Sequence, residues 1–491
     1  TVNGQSNPAD LSTEQLQQCT SLQGLQALAA GSTAANVSSN ATAAAAQLWI
    51  WGFPLLTMSQ AAQSATKPGG VNTLLNVPTL VTPQNQAAFN IVAPNCDTLY
   101  TTSWLDLTAG PQMLGAPNTN GRYYVMELLD FYTNVFGNPG APTTGTAASK
   151  WVVLPPAYKR SALPRALWNL RMYRSNTTGV WLLGRTYVAN QSDLAAAREV
   201  QQQYSLSPAM PPPGNATGNS TALTHLQRAV TAANALLQQA VWQLGSVSNS
   251  TPAFAAIMGL AKAFPPSLGT AGPLALAPSL GLSRARGFNQ TRLSVRQQAV
   301  LQAGSKLGQA CITSYASSGD IGVSQASGWS YTTKAGTYGS DYILRAAVAL
   351  VGVGANEPNI TVYGANRRDA DMQALNGNQT YSVAFASVPP AEYFSSLTLY
   401  SAQTNMLMSN AYSNRSVLNF NATPGLQWNK DGSIDVYLSS KPPGPAGSKQ
   451  LANWLPAGEN EQYWAALRLY GPSYEVVNGS YPLPPIVRVQ P

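Results

Sequence analysis

Hydrophobic and polar positions follow three different rhythms along this 491-residue chain. Residues 1–45 are polar and Ala/Ser-rich, and predict only a short helix at Leu11–Ala30, opened by Ser12 or Thr13 with Glu14 in its first turn. Ala41–Ala65 has helical spacing as far as Gly52, where Gly-Phe-Pro is expected to interrupt it. Val71–Leu80 and Ala87–Val92 read as strand and loop pieces. From Asp97 to Leu183 the runs TLYTTSWLDL, GRYYVMELLDFYTNVF, KWVVLP and VWLLGRTYVA are rich in β-branched and aromatic residues and separated by Pro, Gly and Asn. That pattern predicts antiparallel strands of a sandwich or barrel.

Asp193–Ala349 shifts to Ala/Leu/Gln-rich stretches with helical spacing: DLAAAREVQQQY, TALTHLQRAVTAANALLQQAVWQL, LSVRQQAVLQAGSKLGQACITSYA and DYILRAAVALVGV. MPPPG at Met210–Gly214 and the stretch Phe264–Leu282 break it. From Ile360 the β pattern returns in ITVYGA, YSVAFA, YFSSLTLY, LQWNKDGSIDVYLSS and YWAALRLYG. Asn429–Gly432 between LQW and SIDVYL predicts a hairpin. The expected fold is α+β, mainly β: two antiparallel β-sandwich-like domains with a helical segment between them. The expected divisions are a polar arm at 1–45, a first β-rich domain at 46–192, the helical segment at 193–355 and a C-terminal β-sandwich at 356–491.

Composition alters this picture. Hydrophobic residues make up 44%, enough for packed cores, whereas charged residues make up only 9% against about 25% in an ordinary soluble domain. Something other than charge must keep such a surface in solution. Asn-x-Ser/Thr occurs at Asn36, Asn40, Asn176, Asn190, Asn215, Asn219, Asn249, Asn289, Asn359, Asn378, Asn414, Asn421 and Asn478, 13 sequons among 35 asparagines. Chance would give about six at this Ser/Thr content. The excess points to a secreted or cell-surface glycoprotein carrying N-linked glycans. Thr1 in place of methionine fits a leader already removed, and no apolar run is long enough for a membrane span. The net charge of +8 comes from 27 basic and 19 acidic residues. The basic residues are scattered apart from Lys159-Arg160 and Arg367-Arg368, which argues against nucleic acid as a partner.

Several of the same runs carry a family resemblance. APNCDTLYTTSWLDL, GRYYVMELLDFYTNVFGNPG, DYILRAAVALVGVGAN, YFSSLTLYSAQTNML, LQWNKDGSIDVYLSSKPPG, ANWLPAGE and LRLYGPSYEV resemble, in matching order over roughly residues 45 to 488, a tandem pair of domains of unknown function numbered 1254 and 1214. The resemblance implies two β-rich, sandwich-like domains with helical insertions and implies no activity. Its first motif usually runs Asn-Arg-Asp-Thr-Leu-Tyr. Cys96 stands here in place of that arginine, so nothing resting on that guanidinium carries over.

Catalytic chemistry has few candidates. Asp97, Tyr100, Glu127, Asp130 and Tyr132, with neighbours Asn95, Thr98, Tyr123 and Asn134, are the polar groups of the first β-domain, and a pair of these carboxylates would suit glycoside chemistry. Regular strand alternation sets Glu127 and Asp130 on opposite faces, which favours holding loops over catalysis. The single histidine, His225, is expected to be a solvated helix residue, so a Ser-His or Cys-His site lacks its base. Asp369 with Asp371, and Asp431 with Asp435, lack the loop spacing of a calcium hand; no metal and no cofactor is expected. No glycine-rich strand-to-helix fingerprint supports a nucleotide. Three cysteines allow one intrachain disulfide. Cys19 with Cys311 is the pairing favoured by context, leaving Cys96 reduced and buried.

The resulting expectation is an extracellular structural glycoprotein, a self-assembling subunit of a fibre or cell-surface coat. Its N-terminal arm and the Pro-rich end PLPPIVRVQP would reach a neighbouring copy. The alternative is a secreted carbohydrate-active or other small-substrate enzyme using the Asp, Glu and Tyr residues of the first β-domain.

Overall fold

The computed structural model describes residues 11–32, 38–67, 69–88, 93–210, 223–243, 246–267, 269, 271–283, 292–318 and 321–489. It is an α+β fold in which a helical body lies against two double-sheet domains. Helices α1 (Thr13–Gln18), α2 (Leu22–Ser32) and α3 (Ser39–Ala61) open the chain. Ser12 caps α1 through a reciprocal box with Gln15, which fixes the first helix where the sequence placed its start. The rest of that segment departs from a polar arm. Cys19, Leu25 and Ala29 are buried against α3, Leu11 N–H donates to Ser314 Oγ at 3.3 Å, and Cys19 is joined to Cys311 with Cα atoms 5.8 Å apart.

The helix α3 also runs straight through the expected break. Pro54 is helical and buried, the one hydrogen bond it removes being outweighed by packing on every side. Gly52 is there for proximity rather than as a breaker: a Cβ at that position would lie 2.6 Å from Ile257 Cγ2.

The first domain has two sheets. Its strands are β1 (Leu75–Asn76), β2 (Thr98–Asp106), β3 (Gln112–Ala116), β4 (Tyr124–Asp130), β5 (Val135–Gly137), β6 (Ser149–Leu154), β7 (Arg171–Arg174), β8 (Gly179–Tyr187) and β9 (Ser205–Pro208), with short α4 (Ala141–Thr144) and α5 (Leu194–Gln202) between. One sheet has the order β1-β2-β8-β4-β5, the other β7-β6-β3-β9. Leu105, Leu114, Tyr124, Met126, Leu128, Trp151 and Val153 fill the space between them. Because β9 pairs with β3, this domain extends past the expected boundary at residue 192.

The opposite face of the first sheet meets the helices. Here Trp104 stacks on Trp181 at 5.2 Å and Phe131 on Phe264 at 4.0 Å. The helical body is assembled from both ends of the first domain: α1–α3 pack with α6 (His225–Gln239), α7 (Ser250–Ala263), α8 (Val295–Ser317) and α9 (Tyr342–Gly352). The breaker stretch 264–282 contains a 3₁₀ turn at Gly272–Leu280, and β10 (Trp242–Gln243) pairs β11 (Ser246–Val247).

The second domain comprises β12 (Val323–Ser324), β13 (Trp329–Tyr331), β14 (Thr361–Asn366), β15 (Tyr381–Phe385), β16 (Ala391–Ser401), β17 (Val417–Asn419), β18 (Ile434–Ser439), β19 (Trp454–Pro456), β20 (Tyr463–Pro472) and β21 (Val487–Arg488), with α10 (Lys449–Ala452) and α11 (Tyr474–Val477). Its sheets have the orders β12-β13-β14-β20-β16-β17 and β19-β18-β15-β21. Two expectations change here. Asn429–Gly432 is a turn, but LQW forms no strand: Gln427 N–H and C=O both bond the side chain of Asn453, while β18 pairs with β15 and β19. The proline-rich end folds back on its own domain, burying Leu483 and Ile486 and adding β21 to β15.

Candidate functional site

The loop 93–97 that leads into β2 lies against the second domain, which holds both backbone polar atoms of Ala93, the Pro94 carbonyl and the side chains of Asn95 and Asp97. Asn95 N–H instead donates to the Tyr100 hydroxyl, and Asp97 N–H to Asn95 Oδ1. Ala93 N–H donates to Asn405 O at 3.0 Å and Ala93 O accepts from Arg468 Nη2 at 2.8 Å. Pro94 O accepts from the Tyr400 hydroxyl at 2.6 Å, and Asn95 Nδ2 donates to the Tyr470 hydroxyl. Asp97, 2% exposed, accepts from Ser396 Oγ at 2.5 Å and Asn419 Nδ2 at 3.2 Å. Ala93 has a φ of 48°, a left-handed conformation disfavoured for alanine. Its two backbone bonds to the second domain hold it there.

The partners form one line across the second domain. Register sets Asn419 opposite Ser396, Ser396 opposite Arg468, and Arg468 opposite Tyr363, on β17, β16, β20 and β14. Directly opposed residues share a face of the sheet, so one rung presents hydroxyl, amide and guanidinium groups to the loop. APNCDTLY is therefore an interdomain clasp. Burial raises the Asp97 carboxyl above its ordinary range, with Ser396, Asn419 and the nearby Arg468 charge opposing the rise. Burial, and then the Asp97 charge, push the Cys96 thiol up to about 12. Cys96 is free and buried, and stays a protonated thiol at neutral pH rather than a nucleophile.

The other candidates are held separately. Glu127 and Tyr100 project from the face of the first sheet that meets the helices, where Glu127 pairs with Arg185 at 2.5 Å. Burial pushes the Glu127 carboxyl up to about 7, with the charge of Arg185 opposing it. Burial lowers the Arg185 pKa, but Glu127, through its charge and hydrogen bond, together with Tyr363 and Tyr100 outweighs burial and raises it. Asp130 accepts from Tyr132 N–H at 2.9 Å, Asn134 N–H at 3.0 Å and the Asn134 side chain, so it closes the turn after β4. Tyr132 donates to Phe264 O at 3.0 Å. His225 is half-buried rather than solvated: Nε2 lies 2.9 Å from Ala263 O and its ring meets Phe264 edge-on. Asp369 accepts from Asp371 N–H and Gln373 N–H. Among the described residues no group of three or more His, Cys, Asp or Glu is placed to hold a metal ion.

Asn36, Asn215, Asn219 and Asn289 lie outside the described residues. Of the remaining sequon asparagines, Asn40, Asn176, Asn249, Asn359, Asn378, Asn414, Asn421 and Asn478 are exposed and Asn190 is half-buried.

A cleft of about 410 Å³ opens beside the clasp, between the helical body and the two domains. Its floor follows from the next rung of the second sheet, where Ala466, Ala365 and Ser330 stand opposite one another; three small side chains leave a hollow. Tyr100 and Arg185 reach it from the first domain, and Arg367, Arg368, Trp464 and Arg468 from the second. Arg367 lies over the Trp464 ring at 5.1 Å and Arg468 over the Tyr400 ring at 5.4 Å. Two of the cleft's arginines, Arg185 and Arg468, had a signal in the sequence that the candidate residues did not use. Arg185, Arg345 and Arg468 each interrupt a run of apolar and aromatic residues (VWLLGRTY, DYILRAAVALVG, YWAALRLYG), where a charge is costly without a partner or a task.

Residues 71–208 match the model described as a protein of unknown function, DUF1254, and residues 360–474 match DUF1214. The chain belongs to this tandem family. Together the two matches span the first domain and most of the second, and the helical body lies outside both. A crystal structure of a protein from Vibrio parahaemolyticus superposes with a TM-score of 0.63 at 19% identity, over 92% of this chain and 100% of that one; the tandem-family chain shares its fold. An uncharacterized protein from Burkholderia cenocepacia aligns over 96% of each chain with a TM-score of 0.42 and 15% identity. No curated protein matches the sequence.

Proposed function

We propose that this chain is an extracellular structural glycoprotein, a glycan-coated subunit that self-assembles into a fibre or cell-surface coat. The observation that carries this reading is the position of the sequons: eight of the nine described are exposed and the ninth is half-buried, on a protein with only 9% charged residues. Sugars at those points would supply the hydration that charge does not. The disulfide between Cys19 and Cys311 suits an oxidising compartment. Asp97 and Asp130 are both engaged in holding loops, and Glu127 in an ion pair. That leaves the carbohydrate-active alternative without a free pair among Asp97, Glu127 and Asp130. Treating the natively expressed protein with an N-glycosidase should reduce its mass by many sugar chains and lower its solubility. An unchanged mass would end this reading.

A further inference from the structure

We propose that the cleft between the helical body and the two domains binds a single sugar acid, a ring of uronate size carrying a carboxylate and several hydroxyls. This is independent of glycosylation and of assembly. Three features of the wall lead to it. First, the cleft has cations without counter-anions. Arg185 is matched by Glu127, but among the described residues no carboxylate lies within ion-pair distance of Arg367, Arg368 or Arg468, and none lines the cleft. Asp97, close enough to feel the charge of Arg468, is engaged with Ser396 and Asn419. Guanidinium groups in such an enclosure favour a planar oxyanion.

Second, the opposite wall offers acceptors. α8 and α9 both end at the cleft, at Ser317 and Gly352. Ser314 O and Tyr315 O already accept from Ser318 N–H and Gly352 O from Ala355 N–H, while the Ser317 hydroxyl, which donates to Thr313 O, keeps its lone pairs for an incoming donor. A bare inorganic anion would gain nothing from them, whereas ring hydroxyls would donate to them. Third, Tyr363 gives a flat ring beside the hollow over Ala365 and Ala466, the Trp464 ring being covered by Arg367 and stacked on Tyr400. The volume of about 410 Å³ lies within the range of about 300–1,000 Å³ usual for small-molecule sites.

The test is calorimetric titration of the full-length, natively expressed protein with D-glucuronate, D-glucose and inorganic sulfate. Glucuronate should bind saturably, at one site per chain, with glucose and sulfate each at least about tenfold weaker. Arg367→Gln/Arg368→Gln, at exposed positions, should weaken glucuronate by about tenfold or more. Ala365→Leu, which fills the hollow, should abolish binding, and both variants should keep the wild-type melting temperature. No glucuronate binding to the unmodified protein would overturn the proposal whatever the variants do. So would equal binding of glucose, equal binding of sulfate, or glucuronate affinity unchanged in both variants.

Discussion

Replacing Asp97 with asparagine would put an amide donor where two donors, Ser396 Oγ and Asn419 Nδ2, already converge. One of the three is then left facing another donor, so Asp97→Asn should lower stability by about 1–3 kcal/mol, the cost of an unsatisfied buried polar group. A melting temperature equal to wild type would show that the clasp does not depend on this carboxylate. Glu127 makes a different prediction. Its folded value of about 7 lies above the ordinary 4.5, so between those pH values the unfolded chain has released a proton that the native chain keeps. Stability therefore falls as pH rises through that window. Asp97 and Asp130, also raised by burial, tilt the balance the same way. Glu127→Gln has no proton to release, and its melting temperature should fall less than that of wild type between pH 4.5 and 7. Parallel curves would remove Glu127 as the source.

At the scale of elements, the disulfide fastens α1 and α2 to α8 across 292 residues. Cys19→Ser/Cys311→Ser should lower the melting temperature and expose the segment 11–32 to proteases. Removing such a link typically costs about 2–5 kcal/mol. Unchanged proteolysis would mean that packing of Leu25 and Ala29 suffices, and a non-reducing peptide map with Cys96 in a disulfide would contradict the pairing. The strands of both domains were legible because each is a short β-branched or aromatic run between turn residues, as in TLYTTSWLDL, which became β2. The start of α1 was legible from its capping box. What local pattern could not show was decided by distant partners. α3 continues through Pro54 because helices surround it, LQW gives up its expected pairing to Asn453, and PLPPIVRV at 482–489 closes its own sheet instead of reaching outward. The site was half legible for the same reason. Asp97 stood out as a polar residue in an apolar run, but its partners Ser396, Asn419 and Arg468 lie about 300 residues or more away.

For the whole molecule, the inward packing of residues 11–32 and 482–489 changes how copies would meet. The described part of the arm is stapled to α8 and the tail carries strand β21, so contacts made by these segments would use the folded surface. The outer edge of β21 is the place to look. It ends the sheet β19-β18-β15-β21, and Val487 and Val489 are 45% and 37% exposed beside it. An unpaired strand edge with apolar side chains is a template for another strand, and Arg488 is the one charge on this two-residue strand. A head-to-tail contact there would propagate as a filament unless its rotation closes a ring, and it should bury more than about 1,000 Å². The natively expressed protein should then sediment above monomer mass at high concentration and show fibres in negative stain. Val487→Lys places a charge on the edge at an exposed position, so it should leave the fold intact and yield monomers. Assembly unaffected by Val487→Lys would move the contact elsewhere on the surface, and a native protein that sediments as a monomer at high concentration would defeat the assembly reading altogether.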